Sequence, residues 1–135
     1  MRNVLIVDAA NVVGSVPDGW WRDRRGAAER LRDRLAARDD GEEVVLVVEG
    51  AARGVGSVPG VRVEAAPGTG DDLIVELAAA RVQDGCSVVV VTADRELRER
   101  VRAHGARCVG PRAVRPVGRP CRPGVSGSTS PRRGS

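Results

Sequence analysis

Three sets of acidic residues each stand at the end of an apolar run or at the start of a helical segment. Asp8 ends the run 4–7, the pair Asp71 and Asp72 opens a predicted helix, and Asp94 closely follows a run of four valines. Carboxylates brought together at strand ends repel each other unless a hard cation binds them. Oxygen-only ligands without His or Cys favour Mg²⁺ or Mn²⁺ over Zn²⁺. The pattern predicts a metal site, and hence phosphate chemistry.

Each of these acids also has a structural interpretation. Thr69 and Asp72 have the spacing of a capping box, and Asp94 can serve as the N-cap of the helix that follows it. Asp8 has no predicted helix to cap. Asn11, three residues after Asp8, can orient a water or a phosphate oxygen, although Asn is also a common turn residue. The chemical interpretation therefore depends on the acids meeting in space.

Strands and helices alternate along the chain. Buried strands are predicted at 3–8 and 43–49, further strands at 61–65, 86–92 and 106–109, and helices at 21–38, 70–83 and 94–104. This alternation is typical of an α/β fold whose parallel sheet is covered by helices on both faces. Ligands of such sheets bind outside the carboxyl ends of the strands, which is where the acids are expected to gather.

Composition divides the chain at about residue 110. Residues 1–110 are predicted to form one domain, whereas 111–135 are rich in Arg, Pro, Gly and Ser and are predicted to be a disordered tail. All 18 acidic residues precede the tail, and six of the Arg residues lie within it. No apolar stretch approaches the roughly 20 residues of a membrane span, and three Cys without metal spacing indicate a reducing compartment. A cytoplasmic location without membrane contact is expected.

Several other classes of phosphate or acyl chemistry are poorly supported. A Walker A loop requires Lys, which the chain lacks. The segment 68–73 resembles a dinucleotide fingerprint but lacks the third Gly, and its two acids would repel a pyrophosphate. The only His, His104, is predicted in the last turn of a helix, where a cap is the simpler role.

The segments Val-Asp-Ala-Ala-Asn (7–11), Gly-Asp-Asp-Leu-Ile-Val-Glu (70–76) and Thr-Ala-Asp-Arg-Glu-Leu (92–97) resemble the NYN branch of the PIN-like nucleases. The resemblance covers roughly residues 3–110. It implies a three-layer α/β/α PIN-like (Rossmannoid) fold with a central parallel sheet of order 3-2-1-4-5 and ribonuclease activity. It also implies divalent ions bound by Asp8, by Asp71 or Asp72, and by Asp94, with Asn11 beside them.

One position departs from the family pattern. Many relatives have a further carboxylate within the first turn or so after the position of Asp94. Here Arg95 and Arg98 follow, and Glu96 is the only nearby acid. This departure leaves the number of bound metals and the activity open.

The sequence thus predicts a Mg²⁺- or Mn²⁺-dependent ribonuclease in which a metal-activated water attacks the phosphodiester. Two alternatives remain, a non-catalytic RNA-binding module of the same fold and a metal-dependent nucleotide phosphohydrolase. RNA is the expected partner, and the oligomeric state is open, a homodimer included. The residues predicted for catalysis are Asp8, Asn11, Asp71, Asp72 and Asp94, and those predicted to contact RNA are Trp20, Arg22, Arg53 and Arg95.

Overall fold

The structure, a computed structural model, describes residues 2–15, 22–38 and 41–114. Its strands are β1 (Asn3–Asp8), β2 (Glu43–Val48), β3 (Arg62–Ala65), β4 (Ser87–Val91) and β5 (Arg107–Val109). Its α-helices are α1 (Ala9–Gly14), α2 (Arg24–Ala36), α3 (Gly70–Gln83) and α4 (Arg95–Ala103). Short 3₁₀ turns follow β2 (Gly50–Ala52) and β5 (Pro111–Ala113). The predicted alternation of strand and helix is confirmed.

The described strands form a parallel sheet in the order β3-β2-β1-β4-β5, as predicted. The central strand β1 pairs with β2 on one side and with β4 on the other. In the register, Asp8 lies beside Val47, and Val7 lies beside Val91. The carboxyl ends of β1, β2 and β4 therefore meet at one edge of the sheet.

Two apolar layers enclose the sheet and explain why its central strands are apolar at every interior position. Leu5 and Val7 of β1 pack into the layer of α1 and α2, whereas Val4 and Ile6 pack into the layer of α3 and α4. Successive side chains of a strand point to opposite faces, so a strand covered on both faces needs apolar residues throughout. With no Phe or Tyr in the chain, aliphatic side chains fill most of both layers.

The helices differ from the prediction in two places. The sequence did not predict α1, because a six-residue helix is too short to establish a helical period. The helix predicted over 21–38 corresponds to α2, which starts at Arg24. Residue 21 itself lies outside the described residues. Asp23 sets that start, since its side chain accepts a hydrogen bond from the Gly26 backbone N–H at 2.9 Å.

Two predicted helix caps have different outcomes. Gly105 has φ of +96°, and its N–H bonds the Arg102 carbonyl at 2.9 Å, which confirms the predicted left-handed cap after α4. Thr69 is the N-cap residue of α3, but its side chain makes no capping hydrogen bond within the described part of the chain. The predicted capping box is therefore not formed.

The packed part of the chain extends beyond the predicted boundary at residue 110. Pro111 and Val114 are buried around a 3₁₀ turn, and Val114 joins the core layer of α1 and α2. The rest of the predicted tail, 115–135, lies outside the described residues, as does Cys121. Across the described ranges, no helix has the length and apolar character needed to cross a membrane.

Candidate active site

Asp8 is the last residue of β1 and is 5% exposed. It caps α1, because its Oδ1 accepts a hydrogen bond from the Asn11 backbone N–H at 3.4 Å. Its Oδ2 accepts a hydrogen bond from the Thr92 hydroxyl at 3.1 Å. The expectation that Asp8 caps no helix was wrong, since the helix it caps was too short to predict. A capping role and a chemical role are compatible here, because each carboxylate oxygen accepts one hydrogen bond and has a second lone pair.

Thr92 connects Asp8 to the turn between β4 and α4. Its side chain is fully buried, and its hydroxyl accepts a hydrogen bond from the Asp94 backbone N–H at 3.2 Å while donating to Asp8. Its carbonyl accepts a hydrogen bond from Arg98 Nε at 2.7 Å. Arg98, which the sequence marked only as a departure from the family pattern, therefore stabilises this turn. The turn fixes the positions of Asp8 and Asp94 relative to each other.

Asp94 is the N-cap of α4, as predicted. Its Oδ1 accepts hydrogen bonds from the backbone N–H groups of Glu96 and Leu97 at 3.0 and 3.2 Å. These bonds commit Oδ1 to the helix, whereas Oδ2 takes no part in them. Unlike Asp8, whose two oxygens both accept hydrogen bonds, Asp94 is anchored through one oxygen while the other can face a ligand.

Asn11 joins α1 to the same turn. Its Oδ1 accepts a hydrogen bond from the Ala93 backbone N–H at 2.8 Å, and its side chain is half-buried. This bond fixes the orientation of the amide, so its Nδ2 group supplies the donors that can reach a substrate oxygen. The predicted site residues Asp8, Asn11 and Asp94 thus lie in one hydrogen-bonded group that includes Thr92.

The two acids that open α3 have different surroundings. Asp71 is half-buried, and its pKa is raised by burial first and then by the negative charges of Asp94 and Glu49. Asp72 is 69% exposed and bonds Arg100 Nη2 through its Oδ1 at 2.9 Å. The structure therefore brings Asp71 to the acid group and directs Asp72 toward α4.

Glu49 is an acid of this group that the sequence did not predict. It directly follows β2, as Asp8 ends β1, and its negative charge raises the pKa of both Asp8 and Asp71. Buried Gly70, the first residue of α3, lies against it, since a Cβ at Gly70 would come within 2.9 Å of Glu49 Oε1. Its position, directly after a buried strand, was a signal available in the sequence. It was missed because the predicted strand 43–49 included Glu49 as its last residue.

Burial and the negative charges of neighbouring acids both act on this group of carboxylates, and burial has the larger effect. Burial, together with the charges of Asp71 and Glu49, raises the pKa of Asp8 from 3.8 to about 6 although its two hydrogen bonds act in the opposite direction. For both Asp8 and Asp71, burial and neighbouring negative charges outweigh the interactions that favour the ionised carboxylate. Acids in this condition, with oxygen donors only, match the chemistry of a hard divalent cation.

The side chains as placed do not form a ready coordination sphere. Among residues 2–15, 22–38 and 41–114, no three His, Cys, Asp or Glu side chains are grouped closely enough to hold a metal ion. The donor set thus suits Mg²⁺ or Mn²⁺ in charge and atom type. Shared coordination would require side-chain rotation at residues such as Asp71 and Glu49.

The residues predicted to contact RNA are only partly placed by the structure. Trp20 lies outside the described residues. Arg22, Arg53 and Arg95 are exposed. Arg53 follows the 3₁₀ turn after β2, and Arg95 begins α4, so both lie at the carboxyl edge of the sheet that carries the acids.

The strand order and the two helical layers define the fold of the protein. A five-stranded parallel sheet of order 3-2-1-4-5 between two helical layers is the three-layer α/β/α PIN-like fold. No family model matches the sequence, and no curated protein matches it significantly.

Two similar solved structures are of Rae1 (YacP) from Bacillus subtilis. Its structure matches with a TM-score of 0.69 and 23% identity, covering 82% of this chain and 70% of that chain. A tryptophan-to-leucine variant matches with a TM-score of 0.68 and 23% identity, covering 84% of this chain and 72% of that chain. At this level of identity, the likeness shows the shared PIN-like fold.

Proposed function

We propose that this protein is an endoribonuclease that hydrolyses RNA phosphodiester bonds with the help of Mg²⁺ or Mn²⁺. The observation that carries the proposal is the group of acids at the carboxyl ends of β1, β2 and β4, in which burial and then the neighbouring negative charges raise the pKa values of Asp8 and Asp71. The PIN-like fold and the resemblance of three motifs to NYN nucleases support the same chemistry.

Asp8, Asp71 and Asp94 are the proposed metal-holding residues. Asp72 is left out of this set because its carboxylate bonds Arg100. A bound divalent ion supplies positive charge that activates water and stabilises the charge developing on the phosphate. Asp8 is held for this role by α1 through Oδ1 and by Thr92 through Oδ2, and Asp94 is held by α4 through Oδ1.

Asn11 is proposed to orient the substrate. Because Ala93 fixes its Oδ1, its Nδ2 group can donate to a non-bridging phosphate oxygen without losing its position. Exposed Arg53 and Arg95 at the same edge can neutralise neighbouring phosphates, which would make binding dependent on salt concentration. Fixed donors near the reacting phosphate reduce the reorganisation needed during the reaction.

A cleavage assay on labelled single-stranded RNA with Mn²⁺ tests the proposal. Asp8→Asn, Asp71→Asn and Asp94→Asn should each reduce the cleavage rate by at least 100-fold. Asn is as good an N-cap as Asp, so Asp94→Asn removes the charge while preserving α4. The matched control is Asp84→Asn, an exposed acid after α3 at the opposite edge of the sheet. Cleavage that is independent of Mn²⁺, or that survives all three changes, would contradict the proposal.

A second candidate function is RNA binding without cleavage. It is favoured by the observation that no three described acids are grouped as a ready metal site. In the same assay this candidate predicts that RNA is retained by the wild type but not cut with Mn²⁺ or Mg²⁺. Turnover of free nucleoside triphosphates without RNA cleavage would instead indicate a nucleotide phosphohydrolase.

A further inference from the structure

A cleft of about 250 Å³ opens beside the acid group, on the face of the sheet covered by α1 and α2. Its apolar walls come from both helices and from the 3₁₀ turn after β2, namely Ala9, Ala10, Val13, Ala28 and Ala52. Four of these five side chains are single methyl groups. Small side chains from three elements thus leave a space that larger residues would have filled.

The size of the cleft suits one aromatic ring system. An apolar protein cavity of about 150 Å³ accommodates one benzene molecule. A volume of about 250 Å³ is larger by more than half, so it has room for a bicyclic purine. Within residues 2–15, 22–38 and 41–114, no side chain fills this space.

The cleft is continuous with the acid group. Ala9 and Ala10, which line the cleft, directly follow Asp8. Glu49 also lines the cleft, and its negative charge raises the pKa of both Asp8 and Asp71. The Glu49 side chain does not cap the 3₁₀ turn that it precedes. Its Oε1 approaches Gly70 in the first turn of α3.

We propose that this cleft binds a nucleobase of single-stranded RNA next to the phosphate at the acid group, with Glu49 as the acceptor for the edge of the base. The proposal rests on the proposed function and adds the part of the substrate that is recognised. Single-stranded RNA is commonly recognised through bases that are splayed out, packed on protein side chains and hydrogen-bonded on their Watson–Crick edges.

The carboxylate at the end of the cleft selects among bases. Guanine presents two neighbouring N–H donors, N1–H and the N2 amino group, which match the two oxygens of one carboxylate. Uracil presents one N–H between two carbonyl oxygens, which a carboxylate repels. Arg24, which also lines the cleft, lies on α2 and can contact the backbone of the same nucleotide. Guanine is therefore the expected occupant.

The test uses single-stranded RNA oligonucleotides that differ at one nucleotide beside the cut. They carry guanine, inosine, uracil or an abasic residue there, and inosine lacks only the N2 amino group. For the wild type with Mn²⁺, removing the base should lower kcat/KM by about tenfold, in the range typical of one bound base. Inosine and uracil should fall between guanine and the abasic substrate.

Ala10→Leu supplies the matching protein change. Ala10 is exposed and lies in α1, and Leu has good helix propensity, so the change narrows the cleft with little effect on folding. The variant should cut guanine-containing and abasic RNA at similar rates. The control, Ala80→Leu, is also at an exposed helical alanine, in α3, and should discriminate as the wild type does.

The outcomes separate the two proposals. If the wild type cuts guanine and abasic RNA equally, or if Ala10→Leu still discriminates, the cleft proposal fails and the nuclease proposal stands. If the wild type cuts no RNA, the nuclease proposal fails. Fluorescence anisotropy with the same oligonucleotides then decides the cleft, because tenfold weaker binding of abasic RNA by the wild type, but not by Ala10→Leu, supports it. Equal binding by the wild type overturns it.

Discussion

Replacing Asp8 with Asn should change how the stability of the domain depends on pH. In the folded protein, burial raises the pKa of Asp8 to about 6, whereas its ordinary value is 3.8. Between these two values the folded state binds more protons than the unfolded state. The stabilising contribution of protonated Asp8 is therefore complete below about pH 3.8 and is lost as the pH rises through 6. An asparagine side chain does not titrate, so the Asp8→Asn variant lacks this loss.

The size of the effect follows from the pKa. A pKa change of one unit corresponds to about 1.4 kcal/mol, so the full penalty for ionised Asp8 is about 3 kcal/mol. About 2 kcal/mol of this falls between pH 4.5 and 7.5. Asn offers one oxygen where Asp8 accepts bonds from Thr92 and Asn11 through two. That loss costs about 1 kcal/mol, but it shifts the whole curve of the variant and leaves its pH dependence unchanged.

Urea unfolding at several pH values from 4.5 to 7.5, with a chelator present, measures the effect. The free energy of unfolding of the wild type minus that of Asp8→Asn should decrease by about 2 kcal/mol across this range. Asp84→Asn, measured in parallel, corrects for the general loss of one negative charge. If the wild-type and Asp8→Asn curves are parallel from pH 4.5 to 7.5, burial does not raise the pKa of Asp8. The proposed metal site then loses the support of that raised pKa.

Three further predictions concern the same site. Thr92→Val should lower the free energy of unfolding by about 1–3 kcal/mol, because it removes a buried hydroxyl that bonds both Asp8 and the turn after β4, whereas Thr92→Ser should cost less because it keeps the hydroxyl. In thermal melts, Mn²⁺ at 100 times its dissociation constant should stabilise the wild type by about 2.7 kcal/mol, with no such gain for Asp71→Asn and the full gain for Asp84→Asn. Asp72→Asn should change stability by less than about 1 kcal/mol, since its ion pair is exposed, and should slow RNA cleavage by less than tenfold.

The sequence predicted the acids that follow strands better than the acids that open α3. Asp8 and Asp94 follow buried apolar runs, and the pairing of β1 with β4 was enough to bring them to one edge. Asp71 and Asp72 are neighbours in sequence, and local pattern gave no way to separate them. Their different surroundings depend on Arg100 of α4, a tertiary contact that spans 28 residues.

Two other features could not be derived from local pattern. The short helix α1 depends on the cap provided by Asp8, and six residues carry too little periodicity to be detected. Glu49 gains its place in the acid group from the pairing of β2 with β1 and from the approach of α3. Both depend on how elements pack, which a single strand or helix pattern does not encode.

The close contact between the first residue of α3 and Glu49 gives a means of moving this acid without changing its charge. A methyl group added in Gly70→Ala would collide with the free end of a flexible side chain, so the carboxylate would swing away while the backbone stays in place. One hydrogen-to-methyl exchange on a neighbouring helix could thus retune base preference and leave every titratable group of the protein intact.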